Sequence, residues 1–199
     1  MRGGPIIMAV RLKTKWHSSK RRRSKGVRTL EDRATVVGVS IWKIAFNTFK
    51  HMETEGFRFG SDEQVTAVVN ELIAFLLQVS DRLVYGQLSE SERAEFITAV
   101  GRHLAATVDS NVRDFLGEGD HGGRFIATVN SRTGDYAEFE FKDGGPGYAF
   151  VRYLGEKVSE AMAETDNKWV IEHVMEIEVP EAIKLLKRTL GEALGIAVG

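Results

Sequence analysis

The amino-acid sequence predicts an all-α fold: one compact bundle of about six or seven helices with a basic N-terminal arm. Three observations point there. Between Ser61 and Tyr85, Val65, Val69, Leu72, Leu76, Val79 and Leu83 recur at steps of four and three, which places them on one helical face. Ser61 with Gln64, and Ser89 with Glu92, have the serine-to-acceptor spacing that opens helices. The chain has only three prolines in 199 residues, none inside a strongly periodic segment.

The arm comes first in chain order. Residues 1–28 carry ten basic side chains and no acidic one, which leaves 17 basic against 28 acidic residues in the rest, a net of −11. The arm has no helical or strand period and includes the run Lys20, Arg21, Arg22, Arg23, Ser24, Lys25. A segment of this kind buries too little apolar surface to offset its ordering entropy, so the expectation is a disordered arm on an acidic body. The domain division that follows is a basic arm over 1–28 and an all-helical domain over 29–199.

A first helix is expected from Thr29, with Asp32 completing a cap. Val37, Ile41, Ala45, Phe49 and Met52 form its inward stripe, Trp42 and Phe46 flank it, and Gly56 ends it. Phe57 and Phe59 are expected to tuck under the next helix. That helix, Ser61–Tyr85, adds Val68, Ile73, Phe75, Leu77 and Val84 to its seam. A circumference so apolar must be covered from several sides, so this is the central element.

Gly86 breaks the pattern. The third helix is expected from Ser89 to about Leu116, with Phe96, Val100, Leu104, Val108 and Phe115 inward. The glycine-rich stretch 117–123 then gives a reversal. Residues 125–141 fit either one helical face or a short β-hairpin, and helix is preferred because an isolated hairpin is marginal. Lys142–Gly147 is a break, with Pro146 placed at a first helical position. Val151, Leu154, Val158 and Met162 mark another helix. Asp166 or Asn167 is expected to cap a short one with Trp169, Val170 and Val174 inward. Val179-Pro180 is read as punctuation before a last helix bearing Ile183, Leu186, Leu190 and Leu194, which stops at Gly195.

The chemistry is sparsely written. With no cysteine there are no disulfides, thiol nucleophiles or thiolate metal sites. Neither GxGxxG after a strand nor a P-loop pattern occurs, and paired carboxylates are expected by chance in an acidic body. No cofactor is expected. Glu118 and His121 form a single Glu-x-x-His, and with Asp114 and Asp120 they make the candidate site for a divalent metal at a helix end. His173 stands three residues before Glu176 and beside Glu172. His103, at the edge of an apolar stripe, is weighed as a sheltered proton-transfer group against a boundary histidine.

Lys20, Arg21, Arg22, Arg23 and Lys25 are the candidate polyanion contacts, for nucleic acid or an anionic surface. The preferred functional expectation is therefore a non-enzymatic helical interaction protein, binding a protein partner or a second copy, with an arm that attracts polyanions. The alternative is a small-ligand or metal-dependent enzyme with its site near the 114–121 helix end. No apolar run suits a membrane span or a signal peptide, and a cytoplasmic location is expected ahead of a mitochondrial one.

Overall fold

In the computed structural model, which describes residues 29–163 and 168–198, the first three helices begin at the residues whose side chains cap them. α1 (Leu30–Thr54) opens at Thr29, whose hydroxyl accepts from the Asp32 N–H while the Asp32 carboxylate accepts from the Thr29 N–H, both at 3.1 Å. α2 (Asp62–Val84) opens at Ser61, which accepts from the Gln64 N–H at 3.3 Å. The Gln64 side chain reaches past Ser61 and accepts from the Gly60 N–H at 2.6 Å. α3 (Glu90–Leu116) has the full reciprocal cap between Ser89 and Glu92. Each such cap satisfies donors a helix start leaves open and contributes about 1 kcal/mol.

α2 is the axle of the bundle. It packs against α1, α3, α4 (His121–Ala137), α5 (Tyr148–Met162) and α7 (Val179–Leu194). Its seam is buried from Val69 to Leu83, with Val65 half-buried at the first turn, and Ile73, Phe75 and Leu77 on the flanks are buried too. The whole α1 stripe, Val37 through Met52, is equally closed. Phe75 meets Phe150 of α5 edge-on at 5.6 Å between ring centroids, and Phe150 stacks on Tyr136 of α4 at 4.4 Å. This aromatic layer lets α4 and α5 share one side of α2. No helix of the described residues is long and apolar enough to cross a membrane.

Several expectations are corrected. The reversal after α3 is shorter than expected: Gly117, at φ +81°, ends α3, and Asp120 caps α4, so His121, Gly122 and Gly123 are already helical. A Cβ on Gly122 would lie 3.3 Å from the Ala105 carbonyl oxygen, so glycine suits the close approach of α4 to α3. Residues 125–137 are helix, as preferred. The hairpin exists but lies further on, with β1 (Phe141–Lys142) paired antiparallel to β2 (Gly145–Pro146). Its turn residues Asp143 and Gly144 both have positive φ, which suits the Asp-Gly pair. Pro146 therefore pairs with Phe141 and opens no helix; Gly147 precedes α5 instead.

Val112 takes the inward position at the end of α3, and Phe115 is only half-buried. Trp169 is 75% exposed because it sits at φ +69° just outside α6 (Val170–His173) and points away from the face that Val170 buries. Asp166 and Asn167 lie outside the described residues, as does the whole arm with Lys20, Arg21, Arg22, Arg23 and Lys25.

The largest correction concerns Val179-Pro180. The backbone does not break there. α6 passes into a π-helical turn (Val174–Glu178) and then into α7 without leaving right-handed helical angles. Proline in a helix lacks the N–H and crowds the carbonyl four residues back, here that of Glu176. A wider turn just ahead relieves that crowding. The Val179 N–H bonds the Val174 carbonyl, five residues back, in keeping with that wider turn.

Candidate metal centre

The π-turn creates the site. In a regular α-helix, residues five apart stand about 140° apart around the axis. In a turn closed by bonds to the fifth residue back they are brought much closer together around the axis. His173, the last residue of α6, and Glu178, the last of the π-turn, are such a pair, and His173 Nε2 lies 2.8 Å from Glu178 Oε1. Val170, Val174 and Val179 are buried and anchor this stretch to the core, and the Glu178 carboxylate is held inside with them.

The third member arrives from far away in sequence. His51 is in the last turn of α1, between the buried Phe49 and Met52, and its Nδ1 lies 2.7 Å from the same Glu178 Oε1. Gly56, at φ +94°, turns the chain so that the Phe57 N–H bonds the Met52 carbonyl at 3.0 Å. The Phe57 ring then lies 4.8 Å from the His173 ring, an apolar wall for the cluster. The two imidazoles stack at 6.1 Å between centroids.

A carboxylate buried without partners is costly, and here two imidazole nitrogens converge on one of its oxygens. The hydrogen bond to Glu178 and the charge behind it hold the His51 pKa above the ordinary value, with Glu55 adding to the effect and burial opposing it. Among the described residues, His51, His173 and Glu178 form the group whose ligand atoms all lie within 4.8 Å of one another. Around a tetrahedral zinc ion with bonds of about 2.0 Å, neighbouring donor atoms stand about 3.3 Å apart. Opening each imidazole–carboxylate contact from hydrogen-bond to coordination spacing therefore takes about half an ångström. The half-exposed side chain of His51 has room to move by that much.

The residues expected to form a site occupy another corner. Asp114 is exposed on α3. Glu118 is exposed, 3.3 Å from the Arg113 guanidinium. Asp120 accepts from the Gly123 N–H at 2.9 Å as the cap of α4. His121 is buried, with Nε2 2.9 Å from the Gly117 carbonyl oxygen, and it lines a cleft of about 210 Å³ with Glu71 and Arg124. His103 packs on Gly38, and burial holds its pKa below the ordinary value.

Sequence reading set Glu178 aside as one of the chance carboxylate pairs and left His51 alone on its helix, because it coupled His173 to Glu176 on regular helical spacing. One trace was present: the buried residues Val170, Val174, Val179, Ala182 and Leu186 contain a step of five. Pro180 falls just after that step, which marks a π-turn. No protein-family model, no curated protein and no solved structure matches the chain.

Proposed function

We propose that this protein binds a divalent transition-metal ion through His51 Nδ1, His173 Nε2 and a Glu178 oxygen, in a centre that joins the end of α1 to the π-turn. The observation that carries the reading is the convergence of both imidazoles on one buried carboxylate oxygen, at 2.7 and 2.8 Å. Two nitrogens and one oxygen form a borderline donor set, suited to Zn²⁺, Co²⁺ or Ni²⁺ ahead of Mg²⁺ or Ca²⁺. Three protein ligands leave a fourth position for water, the arrangement of catalytic rather than closed structural sites. The ion would polarise that water toward hydroxide near neutral pH.

Titration of chelator-stripped protein with Zn²⁺ by calorimetry tests this. The expected result is one ion per chain, lost in His173→Ala and Glu178→Gln, with no comparable heat from Mg²⁺. If the wild type takes up no stoichiometric Zn²⁺, Co²⁺ or Ni²⁺, the three residues are a hydrogen-bonded network that compensates a buried carboxylate, and the reading fails.

A separate observation favours a second reading, association with a protein partner or another copy. Trp169 and Tyr148 are 75% and 69% exposed, large aromatics of the kind that anchor interfaces. The arm residues Lys20, Arg21, Arg22, Arg23 and Lys25 would add salt-dependent attraction to a polyanion. Light scattering, with a salt titration on nucleic acid and on anionic vesicles for the wild type and an arm with those five changed to Gln, tests it. A monomer whose salt response ignores the substitutions would dismiss this reading.

A further inference from the structure

The helix end that carries His51 also carries a carboxylate on the far side of its ring. His51 turns Nδ1 to Glu178, and its Nε2 lies 3.7 Å from Glu55 Oε1. Glu55 is the cap of α1, and its N–H bonds the His51 carbonyl at 2.9 Å. Gly56 and the Phe57-to-Met52 bond close the turn behind it, so the backbone that presents Glu55 to the imidazole is fixed by its own hydrogen bonds.

A neutral imidazole carries one proton, and a ring that coordinates through Nδ1 must keep that proton on Nε2. A carboxylate facing Nε2 accepts the N–H, fixes the ring plane and raises the basicity of the coordinating nitrogen. Without it, neutral His51 would keep its proton on Nδ1 for Glu178, which is the wrong tautomer for coordination. We infer that Glu55 is the outer carboxylate of the centre, a positioning residue that selects the tautomer in which His51 offers Nδ1 to the ion. The inference rests on the metal reading above and extends it by one residue. Glu55 and His51 are both about half-exposed, so the change from a 3.7 Å contact to a hydrogen bond needs only a side-chain adjustment.

The test uses Zn²⁺ and the full chain. Glu55→Ala is expected to weaken Zn²⁺ binding ten- to a hundredfold, in line with the loss of outer-shell carboxylates elsewhere. Glu55→Gln, which keeps an acceptor oxygen, is expected to recover most of the affinity. In the zinc-loaded wild type and in Glu55→Gln, the His51 Nε2–H should give a protected ¹H–¹⁵N signal, and in Glu55→Ala that proton should exchange away. A merely structural role for Glu55 would move neither the signal nor the rescue. Wild type that binds Zn²⁺ with Glu55→Ala within twofold of it, or with its Nε2–H signal intact, overturns this inference alone. Wild type that binds no Zn²⁺ overturns the metal reading and this inference together.

Discussion

Arg132 grips Glu71 in a two-pronged ion pair, Nε to Oε2 at 2.8 Å and a terminal nitrogen to Oε1 at 2.7 Å, and so ties α4 to the central helix at a place where Glu71 is buried. The hydrogen bonds to Glu71 raise the Arg132 pKa further above its ordinary range, against the opposing effect of burial. Asp135 lies on the far side of the guanidinium and accepts the Tyr153 hydroxyl, so α5 joins the same network.

Removing one member of such a pair leaves an uncompensated charge in the interior. Arg132→Met is expected to lower the unfolding free energy by about 3–5 kcal/mol, read from urea denaturation. The double variant Glu71→Leu/Arg132→Met should recover most of that loss, because two apolar groups of similar volume replace two charges. If the double variant is as unstable as the single, the pair is needed for packing geometry and the electrostatic account is wrong.

Gly155 and Gly134 make a matched contrast. Both lie inside helices, where alanine is intrinsically better by about 1 kcal/mol. A Cβ on Gly155 would stand 2.9 Å from Ile171 Cγ2 and 3.2 Å from the Ile171 carbonyl oxygen, and the carbonyl cannot yield without moving α6 away from α5. At Gly134 a Cβ would meet nothing within 4 Å. Gly155→Ala should therefore destabilise by about 1–3 kcal/mol despite its better propensity, whereas Gly134→Ala should raise the melting temperature. A stable Gly155→Ala would mean that α5 and α6 are less closely set than these distances state.

The helices most legible in the sequence are those whose ends and faces are specified locally. Thr29 with Asp32, Ser61 with Gln64, and Ser89 with Glu92 each encode a start within four residues, and the stripes behind them encode the buried face. The cluster of His51, His173 and Glu178 was hidden because its geometry is not local. His51 and Glu178 are separated by 127 positions, and only the packing of α1 beside α7 brings them together. His173 and Glu178 become neighbours only when one turn abandons the 3.6-residue period, the very period used to read the chain. Asp120 and His121 were noticed as chemistry-bearing types, yet Asp120 caps a helix and His121 holds a carbonyl at the same corner. Residue type alone did not separate the two roles.

His103 sets one arm of the acid response. Its ring packs against Gly38 on one side, and the cleft on the other is lined by Glu31, Glu95 and Arg102. Burial depresses its pKa below the unfolded value of about 6.5, so the folded protein prefers the neutral ring. The associated stability is fully present above that unfolded value and is lost as pH falls through the lower folded one. His51, whose pKa is raised, acts in the opposite sense, so the comparison must isolate His103. Between pH 7.5 and 5.5 the wild type should lose more melting temperature than His103→Gln. A His103 ring that titrates at or above about 6.5 by NMR would contradict this.

Tyr136 carries the opposite kind of burden. Its ring is 1% exposed and packs against Phe75, Phe139, Phe150 and Tyr153, yet its hydroxyl has no hydrogen-bond partner among the described residues. Burial pushes its pKa far up, with the Glu71 carboxylate adding to the shift, so the group stays a neutral phenol throughout the accessible pH range. An unsatisfied buried hydroxyl costs roughly 1–3 kcal/mol, while the ring supplies the contacts that hold α4 and α5 together. Tyr136→Phe keeps the ring and removes the burden, so it should leave the fold intact and stabilise it by about 1 kcal/mol. Tyr136→Ala, which loses the ring, should cost about 3–5 kcal/mol. If Tyr136→Phe instead destabilises, the hydroxyl makes a favourable bond in solution, to a water held among Glu71, Arg132 and Tyr153, and the polar network extends one residue further than the protein contacts show.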